Sequence, residues 1–266
     1  MIEEKTYYRT DDIRLLKGDS LELIKDIDDN SIDLIFADPP YFLSNDGISC
    51  QSGKMVSVNK GDWDKIDTYD EIENFNNLWL KESQRILKQD GCIWISGTHH
   101  NIYSVGNQLK LLGYKILNVI TWEKPNPPPN LSCRYFTHST EQVIWAAKNN
   151  KSKHKFNYSL MRERNGGKQM KDVWTMTAPT KSEKKYGKHP TQKPLKLLER
   201  IIISSTDEGD LVLDPFNGSG TTGIASIRLN RKYVGIDIED DYLDLTIKRI
   251  QDEETLFSSV GNNEIS

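Results

Sequence analysis

The tetrapeptide Asp38-Pro39-Pro40-Tyr41 combines groups that could bind and activate an amino group. It follows the apolar run 32–37, which predicts a buried strand ending in a stiff turn. The Asp38 carboxylate and the proline carbonyls can accept hydrogen bonds, and the Tyr41 ring can stack on a flat heterocycle. The same residues would also suit a proline turn with a buried tyrosine. The tetrapeptide therefore predicts a site for a heterocyclic amine, provided that a second motif supports it.

A second motif, Asp214-Pro215-Phe216-Asn217-Gly218-Ser219-Gly220-Thr221-Thr222, follows a predicted strand and opens a predicted helix. Glycines at such a turn let a ligand approach the main chain closely. The lysine of a phosphate-binding loop is absent, and the glycine spacing differs from that of dinucleotide sites. We therefore expect a nucleoside without a pyrophosphate, whose ribose hydroxyls donate to Asp237 at the end of the next strand. The alternative is that Gly218 and Gly220 only shape the turn.

The elements that must hold these motifs alternate along the chain. Apolar runs predict strands, and apolar residues at helical spacing predict helices. The predicted strands are 15–17, 32–37, 92–95, 115–122, 141–147, 211–213 and 233–237, and the predicted helices are 20–27, 69–88, 101–112, 195–202, 221–229 and 242–250. This alternation predicts an α/β fold with a doubly wound, mainly parallel sheet covered on both faces. Because such sheets bind ligands at the carboxyl ends of their strands, both motifs should meet at one edge.

Charge is distributed unevenly along the chain. The net charge of −4 argues against a nucleic-acid partner, yet between Lys148 and Lys196 there are 14 lysines and arginines against 3 acidic residues. Such segregation predicts a basic face for a polyanion on an otherwise acidic body. The alternative is a solvated charged loop.

Composition also argues against several classes of protein. The cysteines Cys50, Cys92 and Cys133 are scattered and odd in number, which favours reduced thiols over a disulfide framework or a zinc site. His99 and His100 would point to opposite sides of an extended chain, so we expect no metal. No apolar run approaches the ~20 residues of a membrane helix, and the N-terminus lacks the pattern of a signal peptide. We therefore expect a cytoplasmic protein without a membrane partner.

Taken together, the two motifs resemble those of the amino-group DNA methyltransferases, which use S-adenosylmethionine. The tetrapeptide comes first and the glycine loop near the C-terminus, with the basic stretch between them, an order that resembles the β class of that family. The segment His189-Pro190-Thr191-Gln192-Lys193-Pro194 is similar to the motif that completes the methionine pocket. The resemblance spans Asp19 to about Arg249 and implies a Rossmann-like methyltransferase fold. It also implies three units: 1–147, the catalytic half; 148–188, a basic target-recognition region; and 189–266, the cofactor-binding half.

The resemblance further implies three sets of site residues. The catalytic residues would be Asp38, Pro39 and Tyr41. The cofactor-binding residues would be Asp19, Asp38, Thr191, Lys193, Asp214, Phe216, Gly218, Ser219, Gly220, Thr221, Thr222 and Asp237. The substrate-binding residues would be Pro40, Tyr41, Phe42, Arg134, Arg162, Arg164 and Lys168, and Gln169 is a further option for reading bases. Within the second set, Thr191 and Lys193 would face the methionine carboxylate, while Asp19 would face the cofactor's adenine or, alternatively, only cap a helix.

The expected substrate is N6 of adenine, because tyrosine at the fourth position and the motif order are typical of adenine enzymes. Further similarity in 41–44, 61–65 and 126–131 is to bacterial restriction–modification methyltransferases, in particular the second, single-strand-tolerant enzymes of GATC-type systems. The resemblance implies double-stranded or single-stranded DNA as partner, a homodimer as a candidate assembly, and a cognate endonuclease linked only functionally. The alternatives are methylation of cytosine N4, methylation of a protein glutamine, and an inactive nucleic-acid-binding subunit.

Overall fold

The computed structural model of the chain describes residues 3–41, 48–51, 54–57, 68–187 and 189–261, without the side chains of 48–51, 54–57 and 256–261. Phe42 and the segment 61–65, both named above, lie outside the described residues. The strands are β1 Thr6–Arg9, β2 Ile13–Lys17, β3 Ile32–Ala37, β4 Ile48–Gln51, β5 Lys54–Ser57, β6 Leu87–Gly97, β7 Lys115–Glu123, β8 Thr140–Ala147, β9 Val173–Thr175, β10 Leu211–Asp214 and β11 Lys232–Asp237. The helices are α1 Ser20–Leu23, α2 Tyr69–Ile86, α3 Ile102–Leu111, α4 Tyr158–Arg164, α5 Leu195–Ser205, α6 Thr221–Arg228 and α7 Asp240–Gly261.

Among the described strands, nine form one sheet in the order β1-β2-β11-β10-β3-β6-β8-β7-β9, while β4 and β5 pair with each other. The strands β2, β11, β10, β3 and β6 are parallel. Strand β8 runs antiparallel to both of its neighbours, and β1 runs antiparallel to β2. The prediction of a doubly wound, mainly parallel sheet is therefore confirmed.

The central strand β3 shows why the sheet is covered on both faces. Leu34 and Phe36 belong to a hydrophobic cluster with side chains of α5, α6 and α7. Ile35 and Ala37, which alternate with them, belong to a second cluster with side chains of α2 and α3. Because neighbouring side chains of a strand point to opposite faces, a continuous apolar run requires a helix layer on each side.

Two predicted boundaries were wrong at the junction of α2 and β6. The helix expected over 69–88 ends at Ile86, because Leu87 has extended backbone angles and already begins the strand. The strand expected over 92–95 therefore starts five residues earlier. Its first residues after Leu87, the segment 88–90, are exposed and polar, so no apolar pattern marked them. The helix expected over 20–27 is likewise shorter, since α1 ends at Leu23 and a 3-10 turn follows.

The basic stretch 148–188 is attached to the main body by hydrophobic contacts. Strand β9 lies at the edge of the sheet, parallel to β7. Trp174 of β9 lies 6.1 Å from Trp94 between ring centroids, and Trp94 stacks on Trp145 at 4.8 Å. Met161 and Met176 are also buried, at 3% and 5% exposure. Trp174 and Met176 thus belong to the core cluster of the main body, whereas Phe156, Tyr158, Val173 and Tyr186 of the same stretch are exposed.

The described part of the chain contains neither a membrane-spanning helix nor a cluster of metal ligands. None of its helices is both long and apolar enough to cross a membrane. Nor do its His, Cys, Asp and Glu side chains form any group of three or more that could hold a metal ion.

Candidate active site

Acidic residues stand at the carboxyl ends of four neighbouring parallel strands. Asp19 follows β2, Asp237 ends β11, Asp214 ends β10 and Asp38 follows β3. Strand β10 pairs directly with β3, with Leu213 opposite Ile35. The two motifs, far apart in the chain, therefore meet side by side at one edge of the sheet.

This edge encloses a cavity of about 410 Å³, a size typical of small-molecule sites. The predicted residues that line it are Asp19, Asp38, Pro39, Pro40, Tyr41, Thr191, Lys193, Asp214, Phe216, Gly218, Ser219, Thr221, Thr222 and Asp237. Gly220 is not among its lining residues. The cavity thus brings together nearly all described residues that the two motifs and the 189–194 segment supplied.

The glycine loop is held by hydrogen bonds and by close packing. The Gly218 N–H donates to Oδ2 of Asp237 at 2.7 Å, and the Gly218 φ of +50° lies in the left-handed region. A Cβ at Gly218 would lie 3.2 Å from the His189 ring, so the 189–194 segment packs directly against the loop. Gly220 has a φ of +71°, and a Cβ there would lie 2.4 Å from Thr246 of α7. Gly220 therefore serves the packing of the turn, whereas Gly218 also borders the cavity.

Two carboxyl groups of the cavity are strongly affected by burial. Asp214 is 2% exposed, and burial raises its pKa to about 7 although it accepts hydrogen bonds from the Phe216 N–H and the Thr222 hydroxyl. Burial also raises the pKa of Asp237 to about 6. Burial disfavours the ionised form of a carboxyl group, whereas a positively charged ligand favours it.

The turn 38–41 forms one side of the cavity, called the acceptor side below, and this side centres on Asp38. The Tyr41 hydroxyl donates to Asp38 Oδ1 at 2.6 Å, and the Lys193 ammonium donates to Oδ2 at 2.5 Å. Tyr41 lines the cavity although it is only 5% exposed, so only a small part of its side chain borders the cavity. The Asn101 amide donates to the Pro40 carbonyl at 3.3 Å and ties the turn to the start of α3. Asp38 is thus held between two hydrogen-bond donors.

Asp19 caps α1, because its side chain accepts a hydrogen bond from the Leu21 N–H at 2.7 Å. It also lines the cavity. The two interpretations offered for this residue are therefore compatible, since the capping oxygen uses only part of the carboxylate.

The predictions omitted several side chains that support the site. Arg249 of α7 is buried and donates to the Ser219 carbonyl at 2.5 Å and to the Thr221 hydroxyl at 3.0 Å. Glu141 of β8 lies with its Oε2 3.7 Å from the Lys193 nitrogen. No local pattern marks either residue, because each acts through a partner that is distant in sequence. The cavity is further lined by Gly18, Ser20, Leu21, Phe36, Phe75, His189, Gln192, Leu198, Pro215, Asn217, Ile236, Ile238, Glu239 and Tyr242.

The basic residues suggested for DNA lie outside the cavity. Arg134 is exposed in the loop between β7 and β8, Arg162 and Arg164 are exposed on α4, and Lys168 is exposed after that helix. The cavity lining includes none of these four residues.

Some positive charge of the basic stretch is neutralised by the acidic body. Lys155 forms ion pairs with Asp207 and Asp210, and Lys185 forms one with Asp252. The net positive charge that a polyanion would meet on this stretch is therefore smaller than the count of 14 basic against 3 acidic residues suggests.

A parallel sheet with this strand order, a glycine turn after β10 and an acidic residue at the end of β11 defines the Rossmann-like methyltransferase fold. The chain belongs to the DNA methylase family, whose model matches residues 32–248. This result confirms the resemblance drawn from the motifs.

Several relatives match over almost the whole chain, and two of them illustrate the similarity. The chain is 58% identical over 247 residues to the type II methyltransferase M2.LlaDCHI of Lactococcus lactis subsp. cremoris, covering 92% of both chains. It is 56% identical to the type II methyltransferase M2.MboI of Moraxella bovis, covering 92% of this chain and 90% of the relative.

Solved structures agree with the fold. The M1.HpyAVI–SAM complex is 30% identical, with a TM-score of 0.67 over 90% of this chain and 98% of that one. The cytosine-N4-specific PvuII DNA methyltransferase has a TM-score of 0.72 over 92% of this chain and 88% of that one. At 21% identity, the second likeness concerns the fold alone.

Proposed function

We propose that the protein transfers a methyl group from S-adenosylmethionine to N6 of adenine in a short DNA sequence, with GATC the favoured target. The observation that carries this proposal is that Asp38 and Asp214, at the ends of adjacent strands, line one cavity. One motif can then bind a nucleoside donor while the other binds an amino acceptor. The GATC target is favoured by the similarity of 41–44, 61–65 and 126–131 to the second enzymes of GATC-type systems, and the 56–58% identical relatives are type II methyltransferases.

The charges of the cavity fit this cofactor. Asp38, Asp214 and Asp237 line it with carboxylates, and the cation among them, Lys193, is already paired with Asp38. Such a cavity attracts a ligand that carries positive charge, as a sulfonium and an α-ammonium group do. When bound, the cofactor would supply a methyl group activated by the positive sulfur, so that no strong base is needed for attack.

The residues of the cofactor half have separate roles in this proposal. Asp237 accepts hydrogen bonds from the ribose hydroxyls, and Asp19 faces the adenine. Phe216, whose ring packs edge-on against Trp79 at 5.5 Å, supplies an apolar wall. Asp214, Gly218 and Ser219 line the methionine side, with Thr221 and Thr222 at the start of α6. Gly220 keeps the turn in shape.

The residues of the acceptor half bind the target base. An adenine inside a duplex cannot reach the cavity, so the base is flipped out of the stack. Asp38 and the Pro39 carbonyl accept hydrogen bonds from N6, which draws the nitrogen lone pair out of the ring system and towards the methyl group. Tyr41 contacts the ring of the flipped base through the part of its side chain that borders the cavity. Catalysis then derives mainly from positioning and electrostatics.

In this proposal the basic stretch 148–188 binds the DNA backbone. Exposed arginines and lysines such as Arg162, Arg164 and Lys168 contact phosphates, which contributes affinity without reading the sequence. Arg134, which is exposed in the loop between β7 and β8, is a further candidate for a contact with DNA. We further propose that the protein works in a bacterial cytoplasm alongside a cognate endonuclease, with a homodimer as its candidate assembly.

The test is a methylation assay with tritiated S-adenosylmethionine and unmethylated bacterial DNA, followed by nucleoside analysis and sequencing of the modified sites. We expect label in N6-methyladenine at one short sequence. Label in N4-methylcytosine would support the cytosine alternative, and label in protein would support a glutamine methyltransferase. Failure to label DNA or protein would leave an inactive nucleic-acid-binding subunit.

A further inference from the structure

Side chains of alternating charge form a row behind the acceptor side of the cavity. Lys124 pairs with Oε1 of Glu141, and Oε2 of Glu141 lies 3.7 Å from the Lys193 nitrogen. The Lys193 nitrogen in turn lies 2.5 Å from Asp38 Oδ2. The Lys193 side chain is 5% exposed, and those of Asp38 and Glu141 are 13% exposed. Water screens such groups poorly, so the charge state of each depends on its neighbours.

The hydrogen-bonding capacity of the Lys193 ammonium is fully used. Besides Asp38 Oδ2, it donates to the Tyr41 hydroxyl oxygen at 3.0 Å and to the Thr191 carbonyl at 3.1 Å. An ammonium group has three N–H donors, and each of them has an acceptor here. The expectation that Lys193 faces the methionine carboxylate stays a prediction, and these three contacts favour instead a role at Asp38.

The surroundings of Asp38 have opposing effects on its pKa, and the net result is a pKa above the ordinary value of an aspartate. Burial is the largest influence and raises the pKa, and the Glu141 carboxylate raises it further. The Lys193 charge and hydrogen bond, together with the Tyr41 hydroxyl, lower it. Asp214 faces Asp38 from β10, and the charge of Asp38 helps to raise the pKa of Asp214. Among the described residues, Lys193 is the positive charge in direct contact with Asp38, so the ionised carboxylate depends mainly on it.

Lys193 itself keeps its proton. Burial lowers the pKa of Lys193, but the charges of Asp38 and Glu141 outweigh burial and hold the pKa above its ordinary value. Glu141 therefore acts on Asp38 in two ways: directly, as a like charge, and indirectly, by attracting the same ammonium group.

We propose that Lys193 is a positioning residue that keeps Asp38 ionised and oriented towards the acceptor, and that Glu141 sets the strength of this effect. The proposal rests on the proposed function, because it assigns the ionised Asp38 to the adenine amino group. Tyr41 and Lys193 each occupy one lone-pair position on the carboxylate, which leaves others for N6.

The proton balance of the transfer explains why ionisation matters. The N6 nitrogen forms a bond to the methyl carbon while the carbon–sulfur bond breaks and its electrons stay on sulfur. The methylated nitrogen, now positively charged, gives one proton to the Asp38 carboxylate, which returns the proton to water after the product leaves. An Asp38 that was already protonated could not accept it.

The first test measures the Asp38 pKa without turnover. Protein labelled with ¹³C-aspartate is titrated by NMR in the absence of cofactor, and the Asp38 carboxyl signal is assigned from the D38N variant. We expect K193M to raise the Asp38 pKa by about one pH unit or more and E141Q to lower it. K155M, which removes a lysine paired with Asp207 and Asp210 instead, should leave it unchanged. An Asp38 pKa that is the same in K193M and wild type would overturn the proposal.

The second test follows kcat against pH at saturating cofactor and DNA. The acidic limb of the kcat–pH profile should move to higher pH in K193M and to lower pH in E141Q. The KM for the cofactor should change by less than about threefold. Lys193→Arg retains the charge and should keep the limb near its wild-type position. A roughly tenfold weaker cofactor affinity with an unmoved limb would return Lys193 to the methionine carboxylate and overturn the proposal.

The two tests remain informative if a variant does not fold or if the proposed function is wrong. If K193M does not fold, Lys193→Gln takes its place, since an amide keeps hydrogen-bond donors without the positive charge, and an unshifted Asp38 pKa in that variant would overturn the proposal. If the proposed function fails, wild-type protein incorporates no methyl group into DNA, whereas the NMR titration still reports whether Lys193 controls Asp38.

Discussion

Gly220 in the cofactor loop and Thr246 in α7 are in direct contact, since a Cβ on Gly220 would lie 2.4 Å from the threonine side chain. The Thr246 hydroxyl also accepts a hydrogen bond from the Asn217 amide at 2.9 Å. The Tyr233 hydroxyl donates to the other end of the same amide at 2.8 Å. The loop that borders the cavity is thus built as one unit with β11 and α7.

Gly220→Ala should therefore destabilise the protein strongly. The left-handed φ and the clash with Thr246 together should lower the free energy of unfolding by roughly 2–4 kcal/mol. Gly113→Ala is the matched control, because Gly113 also has a positive φ, +81°, but nothing lies within 4 Å of its added Cβ. That control should cost about 1 kcal/mol. Urea unfolding of both variants checks the prediction, and equal losses would contradict it.

Asp38→Asn should reduce methylation of DNA by roughly a hundredfold or more, since the neutral amide cannot accept a proton and offers N6 a weaker acceptor. DNA binding in a gel-shift assay should stay within about threefold of wild type, because phosphate contacts supply most of the affinity. Asp33→Asn is the control, an aspartate at the other end of β3 that pairs with Lys88 at 2.7 Å. Its activity should persist. Unimpaired methylation by D38N would remove Asp38 from the catalytic set.

Affinity for S-adenosylmethionine should increase as the pH rises from 6 to 8. Burial raises the pKa of Asp214 to about 7, so this carboxyl is largely neutral at pH 6 and ionised at pH 8. A cationic ligand binds the ionised form better and releases a proton, which predicts a roughly tenfold gain over this range. Calorimetry in buffers of different ionisation enthalpy measures both the affinity and the proton release. Asp214→Asn should bind more weakly with a flatter pH profile, and a flat profile in wild type would refute the assignment.

The raised pKa of Asp214 has the opposite consequence for the stability of the cofactor-free protein, which should decrease as the pH rises. Because the folded state holds the Asp214 proton more tightly than the unfolded state, the folded protein loses stability as pH rises from about 4 towards 7. Thermal unfolding of the cofactor-free protein across this range should show a contribution that disappears in Asp214→Asn.

Arg164→Ala should weaken DNA binding uniformly across sequences and reduce the slope of log Kd against log salt by about one. Arg164 is exposed on α4, away from the cavity, so it is free to meet a phosphate. Lys155→Met is the control from the same stretch, because its charge is already neutralised by Asp207 and Asp210. Its salt slope should remain that of wild type. A sequence-dependent loss in R164A would instead indicate a contact with base edges.

Much of the fold could be predicted because its signals are local. The apolar run of β3 followed by two prolines, and the strand, glycine turn and helix around Gly218, each define their own geometry within about ten residues. The start of β6 could not be predicted in this way. Its residues 88–90 are exposed and polar, and they are extended because the chain passes directly from α2 into the sheet.

The alternation of strands and helices, the two chemical motifs and hence the family could all be inferred from the amino-acid sequence. These follow from side-chain periodicity and turn chemistry, which act between near neighbours. The contact of Lys193 with Asp38, 155 residues away, and the position of Glu141 behind it arise from the folding of distant segments against each other. A buried charge takes the partner that the fold brings within hydrogen-bonding distance, and no local pattern records that choice.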